Sequence, residues 1–253
     1  VLESPFFYTK NELPFTDIKE LDASKNNINP KDILKGKKDF CNFIYANPDA
    51  HPMRDKLFYE LSKYKFVNSL GMHLKNTEIE DSRYTNDWVN TSVKLKAPYK
   101  FSIAVENSEF PGYTSEKLLT SMMAMTVPIY FGNPYVGELF NVKSFINVSD
   151  FNSLDECIQY IKRVDQDDDL YCQIMKEPWR TPEQIADYKK RYVQYKDKLN
   201  NIFAIDKNMA MRRPKGTWGT NIYPKFIEGC FAKNGSESKL LLNKMISAIK
   251  SIF

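Results

Sequence analysis

Three short apolar runs constrain this chain more than anything else in it. Phe40 to Ala46 (FCNFIYA), Tyr99 to Val105 (YKFSIAV) and Val127 to Phe131 (VPIYF) are rich in aromatic and β-branched residues. They have the length and composition of buried strands. Helical spacing appears between and after them. Pro52 to Tyr64 places Met53, Leu57, Leu61 and Tyr64 on one side. Thr114 to Thr126 does the same with Leu118, Leu119, Met122, Met123 and Met125, and Leu154 to Val164 with Ile158, Ile161 and Val164. Weaker runs at Lys65 to Ser69 and Ser144 to Val148 add two strands, and Pro182 to Leu199 adds a longer helix. Strand and helix therefore alternate from residue 40 to about 165, which predicts an α/β fold with a mostly parallel, Rossmann-like sheet. Ligands of such sheets bind beyond the carboxyl ends of the strands. The stretch from Leu70 to Lys96 fits neither period, with Trp88 and Val89 as its anchors. Asn26 to Lys38 reads as polar connection.

The residues that follow Tyr99 to Val105 carry the richest chemistry. Glu106-Asn107-Ser108 leads into a loop with Pro111-Gly112, and a helix opens at Thr114-Ser115-Glu116-Lys117. Free amides and the dipole at a helix start attract phosphate. Gly112 lets the backbone come close to a ligand. Lys117 can set a positive charge on a diphosphate, Glu116 can accept hydrogen bonds from ribose hydroxyls, and Tyr113 offers a flat face and a hydroxyl. Each residue also has a plainer reading. Thr114 or Ser115 can simply cap the helix, Glu116 suits any first turn, and Lys117 can be a solvated surface side chain.

The pattern Glu106-Asn107-Ser108, Gly112-Tyr113, Glu116-Lys117, Val127-Pro128-Ile129-Tyr130, Gly132 and Pro134 resembles the signature of family-ten α1,3/1,4-fucosyltransferases. The likeness continues through Phe140-Asn141, Ser144 to Val148 and Asp150-Phe151, and upstream through Phe43 to Pro48 and Arg54. It spans roughly residues 39–180, with Ser115 standing where the family has threonine. The resemblance implies a GT-B arrangement of two Rossmann-like domains, with helices on both faces of each sheet, of which this chain holds the C-terminal, donor-binding half. It implies GDP-fucose as the donor, held by Arg54 and Lys117 on the diphosphate, Glu116 on the ribose, and Asn107 and Tyr113 at the phosphate and fucose. Glu106 is expected to support the loop. The reaction implied is inverting transfer of L-fucose, in α1,3 linkage, to an N-acetylglucosamine or glucose hydroxyl of a glycan or lipopolysaccharide; the alternatives are a transferase of the same family with a different NDP-sugar donor, or a non-catalytic nucleotide-sugar-binding module. Its general base is expected in an N-terminal acceptor domain, and only about 38 residues precede the donor domain here.

The expected organisation is a linker or remnant of the acceptor domain at 1–38, the nucleotide-sugar domain at 39–180 and a helical extension at 181–253. The net charge of +4 comes from 36 basic and 32 acidic side chains that are well mixed. That is too mild for nucleic acid as the main partner. Asp165, Asp167, Asp168 and Asp169 read as a solvated turn, so no metal and no cofactor beyond the donor is expected. Cys41, Cys157, Cys172 and Cys230 match no zinc or redox spacing and are expected as free thiols. His51, beside Arg54, is within reach of a phosphate or plays a local role, and His73 reads as local. No signal peptide is visible, so a cytoplasmic protein is expected. The tail at 239–253, apolar on one face with lysines elsewhere, either docks on protein or touches a membrane surface.

Overall fold

The computed structural model describes residues 18–79 and 88–204. The chain divides into two compact units, Val1–Tyr192 and Val193–Phe253. The described part of the second, 193–204, is helical, and the expected tail contact at 239–253 lies outside the described residues. The first unit opens with helices α1 (Ile18–Ala23) and α2 (Pro30–Lys35). It continues through β1 (Asp39–Phe43), α3 (Met53–Ser62), β2 (Val67–Ser69), α4 (Trp88–Lys96), β3 (Tyr99–Val105), α5 (Glu116–Met123) and β4 (Val127–Phe131). Then come β5 (Ile146–Asn147), α6 (Leu154–Gln166) and α7 (Asp168–Lys176), and α8 (Pro182–Ala204) crosses the boundary. Among the described residues no helix is long and apolar enough to cross a membrane.

The five strands form one parallel sheet in the order β2-β1-β3-β4-β5. Every residue of β4, and all of β3 but Lys100, is buried, as central strands covered on both faces require. Helix α3 packs on β2 and β3 and also meets α6, while α5 packs on β3, β4 and α4. Right-handed crossovers put these two groups on opposite faces, because the chain winds one way from β1 to β2 and the other way afterwards. The α/β fold with a Rossmann-like sheet, expected from the alternating runs, is the fold observed.

Three stretches differ from the sequence reading. The ambiguous region contains α4, whose buried positions include Ser92 and Lys96 beside Val89, so its inner stripe does not look apolar. The Lys96 ammonium sits 2.7 Å from Thr120 Oγ1 and 3.0 Å from Ser121 Oγ on α5, and that hydroxyl in turn donates to Ser102 on β3. The polar connection at Asn26 to Lys38 contains α2, capped by the Asn29 side chain with Pro30 at its first position. The segment before β1 is also part of this domain's packing. Leu21 is buried in the main core, Asp22 makes a two-pronged ion pair with Arg180, and the Lys25 ammonium lies 3.3 Å from the centre of the Trp179 ring.

The third is the acidic cluster, where Asp167, Asp168 and Asp169 are exposed at the turn between α6 and α7 as expected, but Asp165 is not. Asp165 ends α6 with a 2% exposed side chain and binds Lys65, Lys100 and the Tyr64 hydroxyl. Asp167 caps α7 by accepting from the Leu170 amide. Burial alone would raise the Asp165 carboxyl, but the hydrogen bonds from Lys65 and Lys100 bring it below the usual aspartate range. A lowered folded pKa contributes stability that is present above the unfolded value and lost as pH falls through the folded one. Asp165→Asn should therefore cost about 2 kcal/mol at neutral pH by urea unfolding. The gap to the wild type should close as the pH is lowered through about 4 and below.

Candidate functional site

The sheet order reverses direction between β1 and β3, which makes the crevice beyond their carboxyl ends the topological switch point. The five residues expected to bind the donor come from the two loops that flank this crevice. Arg54 follows β1 at the start of α3. Asn107, Tyr113, Glu116 and Lys117 follow β3. Two contacts join the loops. The His51 amide donates to the Asn107 carbonyl at 2.7 Å. The Tyr45 hydroxyl, just past β1, donates to the Ile103 carbonyl and accepts from the Val105 amide at 2.7 Å.

Arg54 is 1% exposed. Its Nη2 donates to the carbonyls of Asn47 and Pro48 at 2.7 and 3.1 Å, and its Nε lies 3.4 Å from Asp55. Its guanidinium carbon is 4.7 Å from the centre of the Tyr45 ring. Nη1 is buried with no hydrogen-bond partner among the described residues. A buried, permanently charged group with an unused donor is costly unless an anion comes to it. His51 has a local role: its Nδ1 accepts from the Met53 amide, and its ring packs 4.7 Å from that of Phe131. His73 faces the Asp55 carboxylate at 2.9 Å.

The second loop is organised by a fully buried carboxylate. Glu106 Oε1 accepts from the Ser115 amide at 2.7 Å, and Oε2 accepts from Ser115 Oγ at 2.6 Å and from Lys117 Nζ at 3.1 Å. Ser115 is the N-cap residue of α5, yet its hydroxyl is spent on Glu106 and makes no cap bond to the helix. Lys117 Nζ also contacts Ser115 Oγ at 3.0 Å and Glu116 Oε1 at 3.8 Å. Burial holds the Glu106 carboxyl above the usual glutamate range, with Lys117 and Ser115 pulling against it. Burial alone would lower the Lys117 ammonium, but Glu106 and Glu116 outweigh it and hold it above the ordinary lysine range. Tyr113 is half-buried and its hydroxyl is raised by burial. Asn107 is exposed at the crevice mouth.

Sequence reasoning missed Asn133, which braces this loop from the end of β4. Its Oδ1 accepts from the amides of Gly112 and Tyr135, and its Nδ2 donates to Thr114 Oγ1. Its own amide donates to the Tyr130 hydroxyl at 3.0 Å. Gly132 and Pro134 belong to the motif that carries the resemblance, but Asn133 between them carries no signal of its own. Gly132 is needed for room, since a Cβ there would lie 2.4 Å from Glu106 Cγ. Gly112 has φ 78°, a conformation that favours glycine. Among the described residues no group of three His, Cys, Asp or Glu could hold a metal ion.

Beyond the carboxyl ends of β1 and β3 stand two cations, Arg54 at the start of α3 and Lys117 at the start of α5, with the partly exposed Glu116 beside Lys117. Residues 34–209 match the family described as "Glycosyltransferase family 10 (fucosyltransferase) C-term". The chain belongs to glycosyltransferase family 10. Within this fucosyltransferase family it is 33% identical over 141 residues to an α-(1,3)-fucosyltransferase of Helicobacter pylori, covering 56% of this chain and 28% of that protein. It is 32% identical over 142 residues to a human GDP-fucose protein O-fucosyltransferase 3, covering 54% of this chain and 30% of the relative. The chain thus spans less than a third of the length of either relative. A crystal structure of an α1,3-fucosyltransferase with GDP-fucose superposes with a TM-score of 0.51 at 27% identity, over 69% of this chain and 52% of that one.

If Asn133 is the brace of this family-10 loop, removing its side chain should loosen it selectively. Asn133→Ala should destabilise the domain by about 2 kcal/mol. Hydrogen exchange read by mass spectrometry should show faster exchange at the amides of Gly112 and Tyr135, with the β3 and β4 ladder still protected.

Proposed function

We propose that this domain binds GDP-fucose in the crevice at the β1–β3 switch point, and that the protein it belongs to transfers L-fucose with inversion. The observation that carries this reading is that Arg54 and Lys117, far apart in sequence, come from the two loops that flank one crevice. There Arg54 holds an unused buried donor and Lys117 stands in the first turn of α5. Both cations suit a diphosphate, and the dipole of α5 adds to their field. Glu116, in the first turn of α5 and 23% exposed, is available to the ribose hydroxyls. Asn107, exposed, and Tyr113, half-buried, are assigned in this reading to the phosphates and the fucose.

In this reading an acceptor hydroxyl attacks the anomeric carbon of fucose on the face opposite the diphosphate. The bond from that carbon to the β-phosphate oxygen breaks, and GDP leaves with the electron pair. Charge grows on the leaving diphosphate and on an oxocarbenium-like sugar, as in glycoside chemistry. Arg54 and Lys117 stabilise the first of these charges, and being fixed in advance they do so without reorganisation. A carboxylate takes the hydroxyl proton. No residue of this chain is assigned as that base. It belongs with the acceptor-binding part of the protein.

For the acceptor we take a hydroxyl of an N-acetylglucosamine or glucose unit; the name of the Helicobacter pylori relative supports an α1,3 linkage. The human relative supports a second acceptor class, a hydroxyl on a protein.

Calorimetric titration of this chain with GDP-fucose, GDP and UDP tests the donor reading. Both guanosine ligands should bind and UDP should not. Lys117→Ala and Arg54→Ala, checked for folding by circular dichroism, should each weaken GDP binding about tenfold or more, the scale of one lost charge-assisted bond. Failure of the folded wild-type chain to bind GDP would overturn it.

A further inference from the structure

The fully buried carboxylate of Glu106 lies 3.1 Å from the ammonium of Lys117, one of the two cations of the proposed donor site. Its three contacts are all donors, the set that an ionised carboxylate needs. Two come from Ser115 and are enough to fix the start of α5. The third comes from Lys117, whose side chain is 16% exposed. A lysine this buried would ordinarily shed its proton, because burial disfavours the charged form. From the geometry we infer that Glu106 is a positioning residue that keeps Lys117 charged and aimed at the phosphates whether or not a donor is bound. This inference rests on the donor reading above and adds to it the group that makes the Lys117 cation permanent.

The surrounding charges agree. Glu116 on α5 is 3.8 Å from the Lys117 ammonium and partly exposed, so water screens it more than it screens Glu106. Tyr113 from the loop, Tyr45 and Arg54 from the β1 side and Tyr130 on β4 also belong to this cluster. Lys96 on α4 reaches the Lys117 carbonyl at 3.3 Å and adds positive charge below the helix. Glu106 is the one buried carboxylate within hydrogen-bond reach of the Lys117 ammonium among the described residues. Glu106, with Glu116 beside it, thus works against burial, and Lys117 is held above the ordinary lysine range.

The size match is also tight. Gly132 leaves space for the Glu106 stem and nothing more. Glutamine fits that space and can still accept from the Ser115 amide, but its amide group cannot neutralise Lys117. A purely structural role would survive this exchange. The proposed role would not.

The test follows the Lys117 Cε resonance in labelled free chain, assigned by its loss in Lys117→Arg. In the wild type it should show no titration between about pH 6 and 10, since the ammonium stays protonated there. An inflection in that window would overturn the inference without any variant. In Glu106→Gln the Lys117 midpoint should fall by about two pH units or more relative to wild type, while Glu106→Asp should keep it high. The GDP dissociation constant of Glu106→Gln, taken relative to wild type, should rise about threefold or more between about pH 6.5 and 9.5. Lys117→Arg in the glutamine background should flatten that rise, because arginine keeps its proton. An unchanged midpoint and a flat ratio, with GDP still bound by the wild type, would overturn the positioning role and leave the donor reading standing. Wild type that fails to bind GDP but keeps Lys117 charged would instead overturn the donor reading, and with it the role of Lys117 toward phosphate.

Discussion

The buried pair of Glu106 and Lys117 is the constraint around which the rest of the site is arranged. An isolated carboxylate at full burial would cost several kcal/mol, and so would an isolated ammonium. Together, and with the amide and hydroxyl of Ser115, they satisfy each other over distances of 2.6 to 3.1 Å. The consequences spread outward through the chain. Residue 132 must be glycine because the Glu106 stem occupies its Cβ space. Ser115 gives up its capping bond to serve the carboxylate. Asn133 then holds Gly112 and Thr114, so the loop between Glu106 and Ser115 is tied at both ends and in its middle.

On the other side of the crevice a different solution does the same work. Arg54 is as buried as Glu106 but has no carboxylate fully its own, since Asp55 is a third exposed and 3.4 Å away. Backbone carbonyls of Asn47 and Pro48 and the face of Tyr45 hold it instead. Arginine allows this because its charge does not depend on a counter-ion and its planar fork fits carbonyl groups. Lysine does not, and here it comes with a buried partner. The crevice therefore carries two cations kept charged by two separate means, one intrinsic and one supplied by the fold.

How much of this could be read from the sequence follows from which forces act locally. The strands Tyr99–Val105 and Val127–Phe131 were legible to the residue, because central parallel strands are apolar on both faces. Helix α5 was legible from its methionine and leucine stripe. Helix α4 was not, because it packs through Ser92 and Lys96, and a lysine reads as solvent-facing until Thr120 and Ser121 are known to meet it. Asp165 misled for the same reason: Lys65 and Lys100, which bury and pair it, are far away in sequence. The cluster of Arg54 with residues 107–117 came from a resemblance carried by motifs. Asn133 carried no motif beyond a turn signal. Its function as a brace exists only once β4 lies beside β3.

The same logic separates what the fold fixes from what it leaves free. The groups that contact the Lys117 ammonium, Glu106, Ser115 and Glu116, all lie in the segment between β3 and β4, whose pairing from Phe101 with Val127 to Val105 with Phe131 is regular. The β1 side is tied to this unit at few points near the crevice: the Tyr45 hydroxyl on the end of β3 and the His51 amide on Asn107. A diphosphate between Arg54 and Lys117 would add a third bond between the two sides. It would join them where the sheet order reverses and no crossover connection covers the crevice. Donor binding would then stiffen the seam between the two halves of the sheet as well as fill a pocket. The seam lies at the switch point because the connections that follow β1 and β3 run to opposite faces of the sheet, and that divergence gives the ligand room to enter.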